Sequence, residues 1–384
     1  MDPWTVYQYW SPGKLIFGPN SLNKLTDGIG SKDIPLIITD KGVSGAGILK
    51  KVTDVLDGAG IKYHIFEGIT PTPTIEAVEE ATSAYRDHSC TMVVGVGGGS
   101  SIDGAKAVSL RVTQEGSLRE YSVGKPVKAS IPPIYAIPTT AGTGSEVSAL
   151  AVISDNYNQI KIVLREMQLI PKVAILDPVL LRSIPPRIAA ETGADALAHG
   201  IEAYVSLNSN AVTDALAISA IKLIAHHLRK MVANPGDVKT AGQMLIASCI
   251  AGLSFSNAGL GLVHSLAPPV GAYLNVSHGL SCALYLPVVM DFNIPARPEK
   301  FVLIADAMGE NIRELSFIPA AKQAVSAVRD LFTDIGLPKT FSEIGIEFRL
   351  NSKMVDYALA SPPTKVNPRI ADRNQIERLF EAPH

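Results

Sequence analysis

The chain has 384 residues, 47% hydrophobic and only 18% charged, and its 34 basic and 36 acidic side chains leave a formal charge of −2. That length asks for two or three domains and the apolar content excludes disorder. The charge balance offers no footprint for nucleic acid or an anionic membrane.

Cys90, Cys249 and Cys282 are scattered with no CxxC pair, which points to a reducing, cytoplasmic setting rather than a disulfide frame. The opening MDPWTVYQYW has an acid at position 2 and no apolar centre, so it does not read as a secretory leader. No run reaches the ~20 uncharged apolar residues of a membrane span.

From Lys14 to Pro178, short apolar runs alternate with helical segments. Strands are predicted at Lys14–Phe17, Leu36–Thr39, Tyr63–Phe66, Met92–Val96, Ile134–Ile137 and Val173–Leu176. Gly18-Pro19 stops the first, with Asn20 or Ser21 as the cap of a following helix. Ala149–Ser154 and Lys161–Leu164 read as a hairpin around Asp155-Asn156. Strand–helix alternation of this kind implies a mainly parallel sheet covered on both faces.

Two turns in this half carry chemistry. GVGGGSSID follows a β-branched run and opens a helix containing Lys106, so backbone N–H groups at a helix start can approach a phosphate. An ordinary tight strand–helix turn is the plainer alternative. In the second turn, Thr139 to Glu146, Thr143 and Glu146 are spaced as a capping box. Hydroxyl- and glycine-rich turns at two strand ends suggest a dinucleotide lying across the strands' carboxyl edge. Asp40, ending the second strand, is placed to accept from a ribose 2′-hydroxyl and to repel a 2′-phosphate, which favours NAD over NADP. Asp at a strand end is also a common turn former.

After Ser183-Ile184-Pro185-Pro186 the strand signals vanish. Helices are predicted at Arg187–Val205, Thr213–Ala233, Val238–Leu266, His278–Asn293, Pro298–Met308 and Pro319–Gly336. The boundary therefore falls between an α/β domain, residues 1–184, and a helical domain, residues 185–384. In ETGADALAHGIEAY, Asp195 and His199 lie one turn apart on one helix face. His264 and His278 lie in the charge-poor stretch Ile246–Val289, where unpaired polar groups are costly. One Asp and three His would complete a four-ligand metal site; a locally paired Asp195 and satisfied core histidines are the alternative. Adjacent His226 and His227 point apart on a helix, and His88 and His384 read as surface residues.

KLIFGPNSL, GVGGGSSIDGAK, IPTTAGTGSEVS, AILDPVL, ETGADALAHGIEAY, FSNAGLGLVHSLA, VSHGLSCALYLPVVMDFN and the late VNPR appear in this order. In this the chain resembles the iron-dependent (group III) alcohol dehydrogenases, which share a dehydroquinate synthase-like fold, over nearly its whole length. The resemblance implies a Rossmann-like dinucleotide domain, an all-helical C-terminal domain and catalysis in the cleft between them. It implies metal ligands Asp195, His199, His264 and His278, and cofactor contacts at Asp40, Gly97, Gly98, Gly99, Ser100, Asp103, Thr139, Thr140, Thr143 and Lys161. Leu150 and Phe255 line the substrate cavity on the same reading. Fe(II) is the metal implied, with Zn(II), which binds N/O sites more tightly, as the alternative. A homodimer acting on a small alcohol or aldehyde through NAD(H) is the expected enzyme.

One departure stands out. The family pattern continues the third ligand as HxxxHP, whereas this chain has His264-Ser265-Leu266-Ala267-Pro268-Pro269. Pro268 cannot relay a proton, and its ring is expected to kink or end the helix by clashing with the His264 carbonyl. Three other functions compete: a lyase on the same scaffold, a glycerol dehydrogenase-like zinc enzyme, and a silent binding protein. Lys365 or Arg369, in the late TKVNPR loop, would suit a reductase for an acidic small aldehyde.

Overall fold

The computed structural model describes residues 6–158 and 160–383; the readings made of Met1–Thr5 and of His384 fall outside them. Contacts divide the chain into two compact units, one spanning Trp10–Ser183 and the other running from Ile184 and including the residues before Trp10.

The first unit is built on strands β1 (Lys14–Phe17), β2 (Pro35–Ile38), β3 (His64–Phe66), β4 (Met92–Gly97), β5 (Ile134–Pro138), β6 (Leu150–Asp155), β7 (Ile160–Arg165) and β8 (Val173–Leu176). Six of them form a parallel sheet in the order β1-β8-β5-β4-β2-β3. β2, β4, β5 and β8 are buried along their whole length, as strands with covered faces must be. The chain passes from β2 outward to β3, then returns to the other side of β2 to lay down β4. This reversal puts a topological switch point between β2 and β4, where ligands of open parallel sheets bind. The helices here are α1 (Lys41–Gly45), α2 (Ile48–Gly58), α3 (Ile75–Asp87), α4 (Gly99–Thr113) and α5 (Leu118–Ser122).

β6 and β7 form the expected hairpin as a separate antiparallel pair. The buried Asp155 at its turn accepts from Arg119 and Asn158. Two capping expectations fail. Asn20 has a left-handed backbone and makes no side-chain cap; Asp177 accepts instead from the Asn20 and Leu22 N–H groups. Thr143 and Glu146 do not form a capping box either, because left-handed Gly144 precedes a short 3-10 turn, Ser145–Val147, with no side-chain cap.

The second unit is helical: α6 (Pro186–Val205), α7 (Ala211–Ala233), α8 (Val238–Ala258), α9 (Val263–Leu274), α10 (His278–Asn293), α11 (Pro298–Met308), α12 (Phe317–Asp334), α13 (Ser352–Ala360), α14 (Pro362–Val366) and α15 (Arg373–Glu381). The single helix expected over Val238–Leu266 is two. Gly259, at φ +80°, ends α8 after Ala258, and α9 starts only at Val263. Of the kink or end expected at Pro268, the end does not occur: α9 carries Pro268 and Pro269 inside it and runs on to Leu274. The two prolines remove the N–H donors to the His264 and Ser265 carbonyls, and packing against α10 and α13 holds the helix through them.

The expectation that no stretch has membrane-span character also fails. Among the described residues, Ala211–Ala233, Val238–Ala258 and His278–Ala296 are long and apolar enough by length and composition. A requirement for strictly apolar runs overlooks helices in which Ser, Thr, Asn or Gln, or one or two charges, interrupt an apolar majority. α8 and α10 are apolar on most faces because much of each is buried inside the helical unit.

Candidate functional site

α6 organises the helical unit. Pro186 starts it with φ already suited to a helix, and from Ala189 to Val205 every residue but Thr192 is buried. Four polar side chains recur along it at Glu191, Asp195, His199 and Glu202, spaced four, four and three residues apart. That spacing is a single stripe on one face. All four are more than nine-tenths buried, so each needs a partner.

Asp195 and the three histidines come together. The Asp195 Oδ1 atom lies 3.6 Å from His199 Nε2, 3.4 Å from His264 Nε2 and 3.5 Å from His278 Nε2. Yet this oxygen is buried and has no hydrogen-bond partner. Donors held tetrahedrally at about 2.0–2.2 Å from one ion lie roughly 3.3–3.6 Å from each other. The three separations from Asp195 Oδ1 have the lengths of tetrahedron edges, so this oxygen and the rings around it suit a divalent cation. Burial works against the charge on Asp195, but the His199, His278 and His264 rings outweigh it and hold the carboxyl well below its usual range.

Neighbours absent from the sequence reading set the ligand poses. Glu202 accepts from His264 Nδ1 at 2.7 Å, and from the Gly261 and Val263 N–H groups at 2.9 and 2.6 Å. It therefore fixes the ring of His264 and serves the otherwise uncapped start of α9. Asn367, from the VNPR motif, accepts from the Leu262 N–H and bonds with Asn293. At the start of α10, Ser277 caps the helix and donates to Glu191 at 2.6 Å. A Cβ on Gly279 would sit 2.7 Å from the Glu191 carbonyl carbon, so only glycine lets the residue after His278 reach α6. Phe255 on α8 stacks on His199 with ring centroids 4.4 Å apart. The signal for Glu202 was its place in the stripe, seven residues after Asp195.

Cys282 also belongs here, one turn along α10 from His278. Its Sγ lies 3.6 Å from His278 Nε2 and 3.9 Å from His264 Nε2. Asp195, His264, His278 and Cys282 form one set whose ligand atoms all lie within 4.8 Å of each other. Burial pushes the thiol up to about 12. His278 is the open side of the cluster, its side chain 37% exposed against 6% for His199 and His264.

At the carboxyl edge of the sheet, Asp40 and Gly97–Gly99 flank the switch point. Asp40 caps α1 through the Gly42 and Val43 N–H groups and accepts from Ser101 Oγ at 2.9 Å. α4 begins at Gly98 with no side-chain cap, which leaves its first N–H groups suited to an anion. Thr139 bonds through its N–H to the Gly97 carbonyl, and Ser100 donates to the Pro71 carbonyl. A Cβ on Gly98 would lie 3.5 Å from Thr140 Oγ1. Asp103 faces inward and accepts from Ser145 Oγ and the Val152 N–H. The Thr143 hydroxyl accepts from the Ser145 N–H. Lys161 pairs with Ser154 across the β6–β7 hairpin, whose first residue is Leu150. Lys106, read only as part of a helix, is fully buried and donates to Ser145, Ser148 and the Leu150 carbonyl.

Other charged candidates are engaged elsewhere. Arg369 donates to the Phe292 carbonyl and lies over the Phe292 ring at 4.1 Å, while Lys365 is exposed. His226 and His227 meet edge to face, and His88 stacks on His64.

Residues 12–178 match the family model described as "Iron-containing alcohol dehydrogenase", and residues 189–383 match "Fe-containing alcohol dehydrogenase family, C-terminal". The chain is 37% identical over 380 residues to the 1,3-propanediol dehydrogenase of Klebsiella pneumoniae, covering 98% of both proteins. It is 37% identical over 353 residues to the NAD-dependent methanol dehydrogenase of Bacillus methanolicus, covering 92% of each. The solved structure of a 1,3-propanediol oxidoreductase superposes with a TM-score of 0.95 at 37% identity, over 99% of this chain and all of that one. The chain therefore belongs to the iron-containing alcohol dehydrogenase family, oxidoreductases that act on CH–OH groups.

Proposed function

We propose that this enzyme interconverts a short alcohol or diol and its aldehyde with NAD(H), using a cation held by Asp195, His199, His264 and His278. The observation that carries the reading is the buried Asp195 Oδ1, without a hydrogen bond and faced by three ring nitrogens. Fe(II) is the metal of the family, with Zn(II) favoured by affinity. Support for NAD comes from Asp40 at the switch point, the uncapped start of α4 and the NAD dependence in the name of the methanol dehydrogenase relative. A 1,3-propanediol dehydrogenase among the relatives supports a short diol.

When bound, the cation supplies Lewis-acid polarisation of the reacting oxygen, and the nicotinamide accepts or gives the hydride. The chain's residues supply the rest. Glu202 takes the Nδ1 proton of His264 as a hydrogen bond, which leaves the Nε2 lone pair free to ligate. Phe255 covers the His199 ring and helps exclude water. Pro268 offers no proton one turn from His264, so protons exchange at the open side, beside His278. Asp40 orients the adenosine end of the cofactor.

The same reading includes a homodimer, supported by exposed Leu15 and Phe17 on the edge strand β1. Three buried cysteines, scattered along the sequence, suit a cytoplasmic location.

The test is a panel of short alcohols and aldehydes with iron- and zinc-loaded protein, run with NADH and with NADPH. Oxidation of NADH with at least one short aldehyde is expected. No turnover across the panel with either metal would defeat the proposal.

A further inference from the structure

The Asp195–His264–His278 triangle can be completed in two ways. His199 is one fourth donor, 3.6 Å from Asp195 Oδ1. Cys282 is another, its Sγ 3.6 Å from His278 Nε2 and 3.9 Å from His264 Nε2, within the set spanning at most 4.8 Å. A thiolate bonds zinc at about 2.3 Å and an imidazole at about 2.0–2.1 Å, which places tetrahedral S and N donors about 3.6 Å apart. The orphaned Asp195 Oδ1, buried and aimed at the same point, is an independent sign of a cation there.

We propose that Cys282 is a metal-ligating residue, completing an Asp195/His264/His278/Cys282 tetrahedron when a soft divalent cation such as Zn(II) or Co(II) occupies the centre. The inference rests on the metal site proposed above and adds a donor to it. A sulfur donor shifts preference from iron toward zinc and cobalt. As the sulfur–metal bond forms, the thiol proton passes to solvent at the open edge beside His278. Soft-metal loading thus yields a form held through sulfur, distinct from the His199-completed set.

The test is titration of metal-stripped, full-length protein with Co(II) alone, followed by optical absorption and by X-ray absorption at the cobalt edge. The wild type is expected to show a sulfur-to-cobalt charge-transfer band and a sulfur neighbour at about 2.3 Å. Both signals should vanish in Cys282→Ser and in Cys282→Ala, and survive in His199→Ala. Zn(II) affinity should fall about 10-fold or more in the Cys282 variants, at least the change that removal of a mere outer-shell partner produces. One Co(II) bound without a sulfur signal in the wild type overturns the role of Cys282 and leaves the metal site standing. A sulfur signal persisting in both Cys282 variants overturns it equally. No Co(II) bound at all overturns the metal site itself.

Discussion

Asp195 is a carboxylate more than nine-tenths buried with one oxygen lacking a hydrogen bond, a costly arrangement unless a cation completes it. His264→Ala and His278→Ala should therefore lose bound metal and nearly all turnover while the helical core survives; metal analysis showing full occupancy in both would refute the ligand set. Glu202 acts through His264. Glu202→Gln should keep the fold and weaken metal affinity by roughly 10–100-fold, read by competition with a chelator. Asp40 has two tasks, capping α1 and facing the switch point. Asp40→Gly should relax the preference for NADH over NADPH by ~1.5–3 kcal/mol, measured as the ratio of kcat/KM values. Since glycine is itself a tolerated cap, the variant's melting temperature should move little. Wild-type kcat/KM equal or better with NADPH would remove the role given to Asp40.

At the scale of elements, most of the framework is legible in the sequence. Strand runs such as Val173–Leu176 and helix α12 have clear patterns. The Asp195/His199 pair is legible because both ligands come from one helix. Glu202 and Cys282 were not, because their roles arise from contacts with residues on other helices, and a lone Glu or Cys announces nothing about such contacts. The α8–α9 break falls inside a charge-free stretch that reads as one helix, although Asn257, Gly259 and Gly261 interrupt it there; Gly259 at φ +80° ends α8. Pro268 misled for a related reason. A proline costs ~3 kcal/mol in a free helix and is expected to kink or end it; α9 does not end there, because tertiary packing carries it on to Leu274. Pro268→Ala and Pro268→His separate the consequences. If a proton relay limits the enzyme, only the histidine variant should raise kcat, by about tenfold or more within the usual 10²–10⁴ range for acid–base groups. Open-edge exchange beside His278 predicts no rise from either.

The whole molecule also carries a buried charge cluster in the α/β unit. Lys106 and Glu146 are buried, with half-buried Asp103 near them. Burial raises Glu146 to about 7 from 4.5, and lowers Lys106 to about 8 from 10.5. Glu146 is raised in the folded state, so its contribution is full below about pH 4.5 and is lost as pH rises toward 7. Lys106 is lowered, so stability recovers as pH climbs from about 8 toward 10.5. Glu146→Gln should flatten the first of these slopes. The wild-type-minus-variant difference in unfolding free energy should change by roughly 1–3 kcal/mol between pH 4.5 and 7. Denaturant titrations across that range check it; parallel curves would mean the carboxyl is ionised throughout.

Three helices, α6 and the consecutive pair α9 and α10, deliver their donors to one point. An unfolded chain offers a cation only local pairs of these donors, so mass action favours the folded form. Free metal at 100 times its dissociation constant should add about 2.7 kcal/mol of stability, visible as a melting temperature that climbs with metal concentration and drops with chelator. In a cell starved of metal, the fraction unfolded rises correspondingly, and proteases act on that fraction. Metal supply would then govern how much of the enzyme persists as well as how fast it works.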